Sequence, residues 1–395
     1  MQPSHGPDMQ FLRQVLLEML AIPCPTGFTD GIVRYVAEHL DAMGVPYELT
    51  RRGTIRATLK GRQGSPDRAI ASHLDTIGAM VSHIKDNGRL KLTPIGCWSS
   101  RFAEGSRVSL FTEQGCFRGS VLPLMASGHA FNTEVDTLPV NWDTIELRLD
   151  VRTDSRAETE AEGIAVGDFV AFDPLQEFTE NGYISARHLD NKAGAAALLT
   201  AIKQIVESDD VLPLDCHPLF TITEETGSGA AGALPWDVSE FVGVDVAPVA
   251  PGQTSTEHAV TLCMQDSSGP YDYHLTRHLL KLCARDEIPV QRDVFRFYHS
   301  DAESAVRAGN DTRVALIAFG TDATHGYERT HRDSLEALTR LMLSYMRSPP
   351  VFENDDRDSA PLENFHLQTD ADMPLTGETP LPPLEQIFTC DREQD

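Results

Sequence analysis

Paired cysteines, a basic surface and long apolar runs are all missing from this sequence, and each absence removes a class of function. No apolar run approaches the ~20 residues that span a bilayer, which argues against a membrane protein. The opening MQPSHGPDMQF lacks the basic start and apolar core of a secretory signal. Seven cysteines (Cys24, Cys97, Cys116, Cys216, Cys263, Cys283, Cys390) are scattered, odd in number and never spaced C-x-x-C. That usage argues against a disulfide frame and a cysteine zinc site, and predicts reduced thiols in a cytoplasmic protein. Ser72, Ser127, Ser228 and Ser300 lie in no Gly-x-Ser-x-Gly elbow, and the thiols lack a papain-like context. There is no Gly-rich phosphate loop and no internal repeat. Positive charge is scarce: 33 Lys and Arg stand against 59 Asp and Glu, a net charge of −26 that disfavours nucleic acid.

What remains is a 395-residue chain with 41% hydrophobic and 23% charged residues, ordinary for a soluble globular protein. Residues 9–22 and FTDGIVRYVAEHLDAMGV carry helical apolar spacing, and YELTRRGTIRATLKG alternates like a hairpin. RAIASHLD reads as a strand ending in polar residues. From about Ile77 to Ser185 the texture changes to short β runs separated by Gly, Asn and Asp, as in a small barrel or sandwich. Strands and helices then alternate, through AGAAALLTAIKQIVES, HPLFTITEE, FVGVDVAPVA, DYHLTRHLLKLCARDEI, DVFRFY and RVALIAFG, to the closing helix SLEALTRLMLSYM. The order predicts an α/β domain with a mainly parallel sheet over 1–77 and 186–350, interrupted by a β-rich domain over 78–185. Residues 351–395 hold twelve Asp or Glu, two Arg and five Pro, and read as an acidic tail that is disordered or loosely docked.

Ligands collect at the carboxyl ends of strands in open α/β sheets. Five such places carry metal-type residues: His73 and Asp75 in IASHLD, Asp190 in ARHLDNKAG, Glu224 and Glu225 in FTITEE, Asp245 in VGVDV, and His331 in GYERTHRDSLEAL. Each alone has a plainer reading. A lone His73 is most simply a satisfied polar residue, and Asp190 a helix N-cap. A buried Asp245 without a partner is costly. Together, two imidazoles and three carboxylates have the ligand chemistry of a two-metal site.

ASHLDTIGAMVSHIKDNGRLKLTPIGCW, ARHLDNKAGAAALL, TITEETGSGAAGA, VGVDV and YERTHRDSLEAL occur in an order that resembles the glutamyl aminopeptidase/deblocking aminopeptidase (TET-like) family of dinuclear zinc exopeptidases, over about residues 10–347. The resemblance implies a zinc exopeptidase-like fold, with helices on both faces of the sheet and an inserted small β-barrel used for dimerisation and assembly. It implies two divalent ions per subunit, Zn²⁺, Co²⁺ or Mn²⁺. His73 and Asp245 would bind one, Glu225 and His331 the other, and Asp190 would bridge them. Glu224 would be the general base toward a metal-bridged water, and Asp75 would fix the His73 tautomer. Adjacency on a strand sends Glu224 and Glu225 to opposite sides, which suits this division.

The expected activity is removal of N-terminal residues from peptides or a small peptide-like substrate, by a homo-oligomer between dimer and dodecamer. Asp301, in YHSDAE, and His325 are the candidate substrate residues; YHSDAE reads equally as a plain strand end, and the ordinary loop histidine is the favoured reading of His325. Two departures mark a divergent branch. Tyr298 and His299 replace paired glycines of the family, and THRDSLEAL replaces its usual His-Ser-Pro. With the acidic tail, the combination is similar to a bacterial branch associated with the osmoprotectant N-acetylglutaminylglutamine amide. The alternative enzyme is an amidohydrolase or deacylase on an N-acylated small molecule. A non-catalytic scaffold is a third reading, and the retained Glu224 argues against it.

Overall fold

The N-terminal helical periods become two helices, Met9–Leu20 and Asp30–Ala42. Asp8 caps the first by accepting from Phe11 N at 3.0 Å, and the helix buries Leu12, Val15, Leu16, Met19 and Leu20. Gly44, at φ +68°, turns the chain out of the second. The computed structural model describes residues 6–208, 211–235 and 237–352; the acidic tail, from residue 353 on, lies outside the described residues.

The expected hairpin is β1 (Tyr47–Leu49) against β2 (Ile55–Ala57). β2 leads a twelve-stranded sheet whose centre is four parallel strands in the order β12 (Leu212–Thr221), β3 (Gly61–His73), β13 (Val238–Val249) and β17 (Arg313–Asp322). β14 (Val260–Asp266) pairs antiparallel with β17 and carries β15 (Gly269–Pro270) and β16 (Val290–Val294). Further along that same edge β17 pairs with β18 (Glu328–His331), which leads to β11 (Tyr183–Ala186) and β10 (Glu177–Phe178).

Both faces of the central strands are covered, so they are apolar on both. Ile70, Val242 and Ile317 enter one core with the helices Met9–Leu20, Leu189–Glu207, Tyr273–Arg285 and Arg332–Arg347. Ala69, Ala71, Phe241 and Leu316 alternate into the other, with Ala302 and Ala305 of the helix Asp301–Arg307. At the foot of the sheet Arg68 and Glu240, both almost fully buried, pair at 3.2 Å.

Between β3 and β10 the chain forms a closed barrel of β4 (Gly78–Ile84), β5 (Leu90–Ile95), β6 (Arg107–Thr112), β7 (Gly115–Pro123), β8 (Ile145–Leu149) and β9 (Phe169–Phe172). Around it the order is β4-β5-β8-β7-β6-β9. Its own core contains Val81, Leu92, Val108, Leu110, Val121, Leu147 and Val170. The barrel strands end at Phe172. Residues 177–186, read in sequence as part of the β-rich segment, instead edge the large sheet. Among the described residues no helix is long and apolar enough to cross a membrane.

Candidate metal centre

Sheet register brings the distant polar residues to one level. His73, the last residue of β3, pairs with Thr221, the last of β12. Gly243 pairs with Ala71, so Asp245, two residues further along β13, draws level with His73. Asp190 arrives from the first turn of the helix Leu189–Glu207, where the helical geometry is broken at Asp190 and Asn191. Asn191 Nδ2 fastens that turn to the carbonyl of Val244 at 2.5 Å. Glu224 and Glu225 sit in the turn after β12, beyond the strand itself.

Two ligand groups result, and they share one residue. His73, Asp190 and Asp245 form one; Asp190, Glu225 and His325 form the other. His73 Nε2 lies 3.1 Å from Asp190 Oδ1 and 3.7 Å from Asp245 Oδ1. His325 Nε2 lies 3.5 Å from Asp190 Oδ2 and 3.3 Å from Glu225 Oε2. Asp190 thus turns one oxygen to each group. Glu224 belongs to neither; its Oε2 is 3.7 Å from His73 Nε2.

His331 is the correction. It was expected beside Glu225, but it lies at the far end of β18 in a separate cluster with His258 and Asp333. Both its ring nitrogens are engaged there, Nε2 with Asn181 O at 2.8 Å and Nδ1 with Asp333 N at 3.1 Å. β18 runs antiparallel to β17 and carries His331 away from the strand ends. His325, expected as a substrate contact or an ordinary loop residue, stands in the turn directly after β17 and faces Glu225.

Asp75 also acts differently from expectation. His73 Nδ1 donates to the Asp75 backbone carbonyl at 2.9 Å, while the side-chain Oδ1 is 3.7 Å away. The buried carboxylate instead accepts from Thr26 Oγ1 at 2.7 Å and from the backbone N–H groups of Glu224 (3.2 Å) and Glu225 (3.3 Å). It fixes the turn that carries both glutamates. Glu328, which no sequence pattern marked, does the same across the site. Its Oε2 accepts from Asp190 N at 3.1 Å and its Oε1 from His325 N at 2.9 Å. Burial pushes the Glu328 carboxyl up to about 8.

The electrostatics state what this set needs. Burial raises the carboxyls of Glu224, Glu225 and Asp245 above the ordinary range, and the nearby histidines offset it only in part. Burial opposes protonation of His325 and His73, but the surrounding carboxylates overcome it. Glu225 and Asp190 lift His325 to about 11; Asp190 and Asp245 lift His73 in the same direction. Asp190 is the exception, held low against its burial by His73. Four carboxylates around two imidazoles demand positive charge at their centre. Borderline nitrogen with hard oxygen is the donor chemistry of Zn²⁺, Co²⁺ or Mn²⁺. The residues fit a pair of divalent ions.

A cavity of about 160 Å³ opens beside Glu224, with Gly229, His299 and Asp301 among its lining residues. Asp301 Oδ2 accepts from Thr221 Oγ1 at 2.6 Å, Oδ1 has no hydrogen-bond partner, and burial raises the carboxyl to about 6. A Cβ on residue 229 would lie 1.7 Å from that Oδ1, so the close approach requires Gly229.

Known proteins resemble this chain in sequence and in fold. The family model described as M42 glutamyl aminopeptidase matches residues 53–341. YhfE of Bacillus subtilis (strain 168) is 38% identical over 339 residues, covering 86% of this chain and 98% of its own. The lysyl aminopeptidase of Pyrococcus furiosus is 25% identical over 232 residues, 58% of this chain and 64% of its own. Among solved structures, a TET aminopeptidase from a marine-sediment Thaumarchaeota archaeon superposes with a TM-score of 0.77 at 19% identity, over 86% of this chain and 96% of its own. Pyrococcus horikoshii TET1 peptidase, described as assembling into a tetrahedron or a large octahedral shell, gives 0.75 at 22% identity, over 85% and 99%.

Proposed function

This chain belongs to the M42 glutamyl aminopeptidase family, a family of metal-dependent peptidases, and from that premise we propose a dinuclear metallo-aminopeptidase acting on peptides or a small peptide-like substrate. The observation that carries the reading is the division of Asp190, one oxygen toward His73 and Asp245 and the other toward Glu225 and His325. In this reading His73 and Asp245 hold one ion, Glu225 and His325 the other, and Asp190 serves both. The ions, when bound, lower the pKa of water and polarise the scissile carbonyl.

The protein's own groups do the rest. Glu224 is free of both ligand groups and adjoins the cavity. Its carboxylate takes a proton from the attacking water and delivers it to the leaving amine. Burial raises the proton affinity of that carboxylate. Asp75, Thr26 and the backbone of the 224–225 turn hold the base in place. Asp301 forms part of the cavity wall that receives the substrate. By analogy with the P. horikoshii TET1 assembly, the chain forms a homo-oligomer in which the barrel serves assembly.

The test compares a free-amine peptide with its acetylated twin on metal-loaded protein. Turnover of the free amine alone supports the proposal; turnover of the acetylated twin alone makes the enzyme a deacylase. Glu224→Gln should retain its metal and lose ~10²–10⁴ in kcat, the range of a general base. Full activity in that variant would refute the assigned role.

A further inference from the structure

His331 is not used by the candidate centre, yet it is not isolated. His258 precedes β14, His331 ends β18, and Asp333 lies in the first turn of the helix Arg332–Arg347. One ligand atom from each comes within 4.8 Å of the others. Asp333 Oδ2 is 3.2 Å from His331 Nδ1 and 3.7 Å from His258 Nδ1, and the two imidazole centroids are 4.6 Å apart. Two donors at ~2.0–2.1 Å from a tetrahedral ion are separated by about 3.3 Å. Both measured separations fall within about half an ångström of that value.

The ring of His331 is already oriented as a ligand's would be. Its Nε2–H donates to the Asn181 carbonyl at 2.8 Å, which leaves the lone pair on Nδ1, toward Asp333. A Cβ on residue 182 would lie 2.5 Å from Nε2, so Gly182, at φ +95°, is what lets the ring reach that carbonyl. In the ion-free arrangement the Nδ1 lone pair accepts the Asp333 N–H as a helix cap. A bound ion would take that lone pair in exchange. His258 and Asp333 have side-chain exposures of 51% and 49%, so the remaining coordination positions open to water.

We infer that His258, His331 and Asp333 form a separate, surface site for one borderline divalent transition ion of the Zn²⁺ class. Two imidazoles with one carboxylate favour such an ion over Mg²⁺ or Ca²⁺, which prefer all-oxygen shells. The ion would tie together three elements, the segment before β14, the end of β18 and the start of the closing helix. β18 begins at Glu328, whose carboxylate holds the backbones of Asp190 and His325. The surface ion therefore braces the strand on which the candidate centre leans.

Full-length wild type, His258→Gln and Asp333→Asn, stripped by chelator, are dialysed against graded free Zn²⁺, with metal content and unfolding temperature measured on the same samples. Wild type should saturate with one more ion per chain than either variant, and the variants should bind that ion at least tenfold more weakly. The Zn²⁺-dependent rise in unfolding temperature should be smaller in both variants. Their peptidase activity with the candidate centre loaded should stay within twofold of wild type. The same saturable stoichiometry and affinity in all three proteins overturns the inference, as does extra uptake that never saturates, which is adventitious binding to an acidic surface. Two chemically different variants, one at a half-exposed histidine, guard against a folding artefact; a specific site requires that both lose the same ion.

Discussion

Glu328→Gln probes whether the candidate centre is held from behind. The Glu328 side chain is buried and both its oxygens accept backbone N–H groups, Asp190 at 3.1 Å and His325 at 2.9 Å. Glutamine has the same shape but one acceptor oxygen. Whichever way its amide turns, an NH₂ faces one of the two N–H donors. An orphaned buried donor costs about 1–3 kcal/mol. Part of that cost falls on the apo fold and part on the geometry that presents Asp190 and His325. Losing a partner that orients a ligand typically weakens metal affinity by ~10–100-fold. The assay is a metal titration of stripped enzyme, followed by hydrolysis of an amino-acid anilide and by calorimetry. The expected outcome is a metal-binding curve shifted to higher concentration, with kcat largely restored at saturation. An unchanged metal affinity with only a lower unfolding temperature would refute the argument and make Glu328 purely structural.

Two further outcomes follow from the fold. Glu240→Ala leaves Arg68 as a buried, unpaired charge and should cost about 3–5 kcal/mol in urea unfolding, whereas replacing Arg68 and Glu240 together by apolar residues should cost much less. Burial and the nearby Arg68 hold His278 down at about 4, below its ordinary 6.5, so the unfolded chain takes up this proton first. The stability it contributes is complete above about pH 6.5 and is lost as pH falls toward 4. His278→Gln should therefore flatten the stability–pH slope in that window by up to about 1.4 kcal/mol per pH unit, and an unchanged slope would exclude the shift.

The sequence carried the gross architecture because its periods are long and unambiguous. The helices Met9–Leu20 and Arg332–Arg347 each bury a clear apolar stripe. β3 and β12 end in a polar residue after a run buried on both faces, and β13 carries Asp245 within such a run. That rule found His73, Asp245 and the Glu224–Glu225 pair, and Asp190 followed from its place at a helix start. It failed at the last histidine because two candidates stand six residues apart. β18 has only four residues, Glu328–His331, too few to show a period. Without it the sequence reads as β17 running straight into the closing helix, which puts His331 at the site. The antiparallel return of β18 makes His325 the residue at the strand end. Glu328 and the backbone role of Asp75 were illegible for another reason. Their work is hydrogen bonding to main-chain N–H groups, which follows from the path of the chain and leaves no residue pattern.

The most direct test is anomalous scattering from crystals grown with Zn²⁺, which reports ion positions independently of activity. Two peaks ~3.5–4 Å apart are expected. One should be contacted by His73 and Asp245 and the other by Glu225 and His325, with Asp190 touching both. Any peak at His331 should lie apart from this pair. A single ion among these residues, or His331 in place of His325 at the second one, would contradict this arrangement.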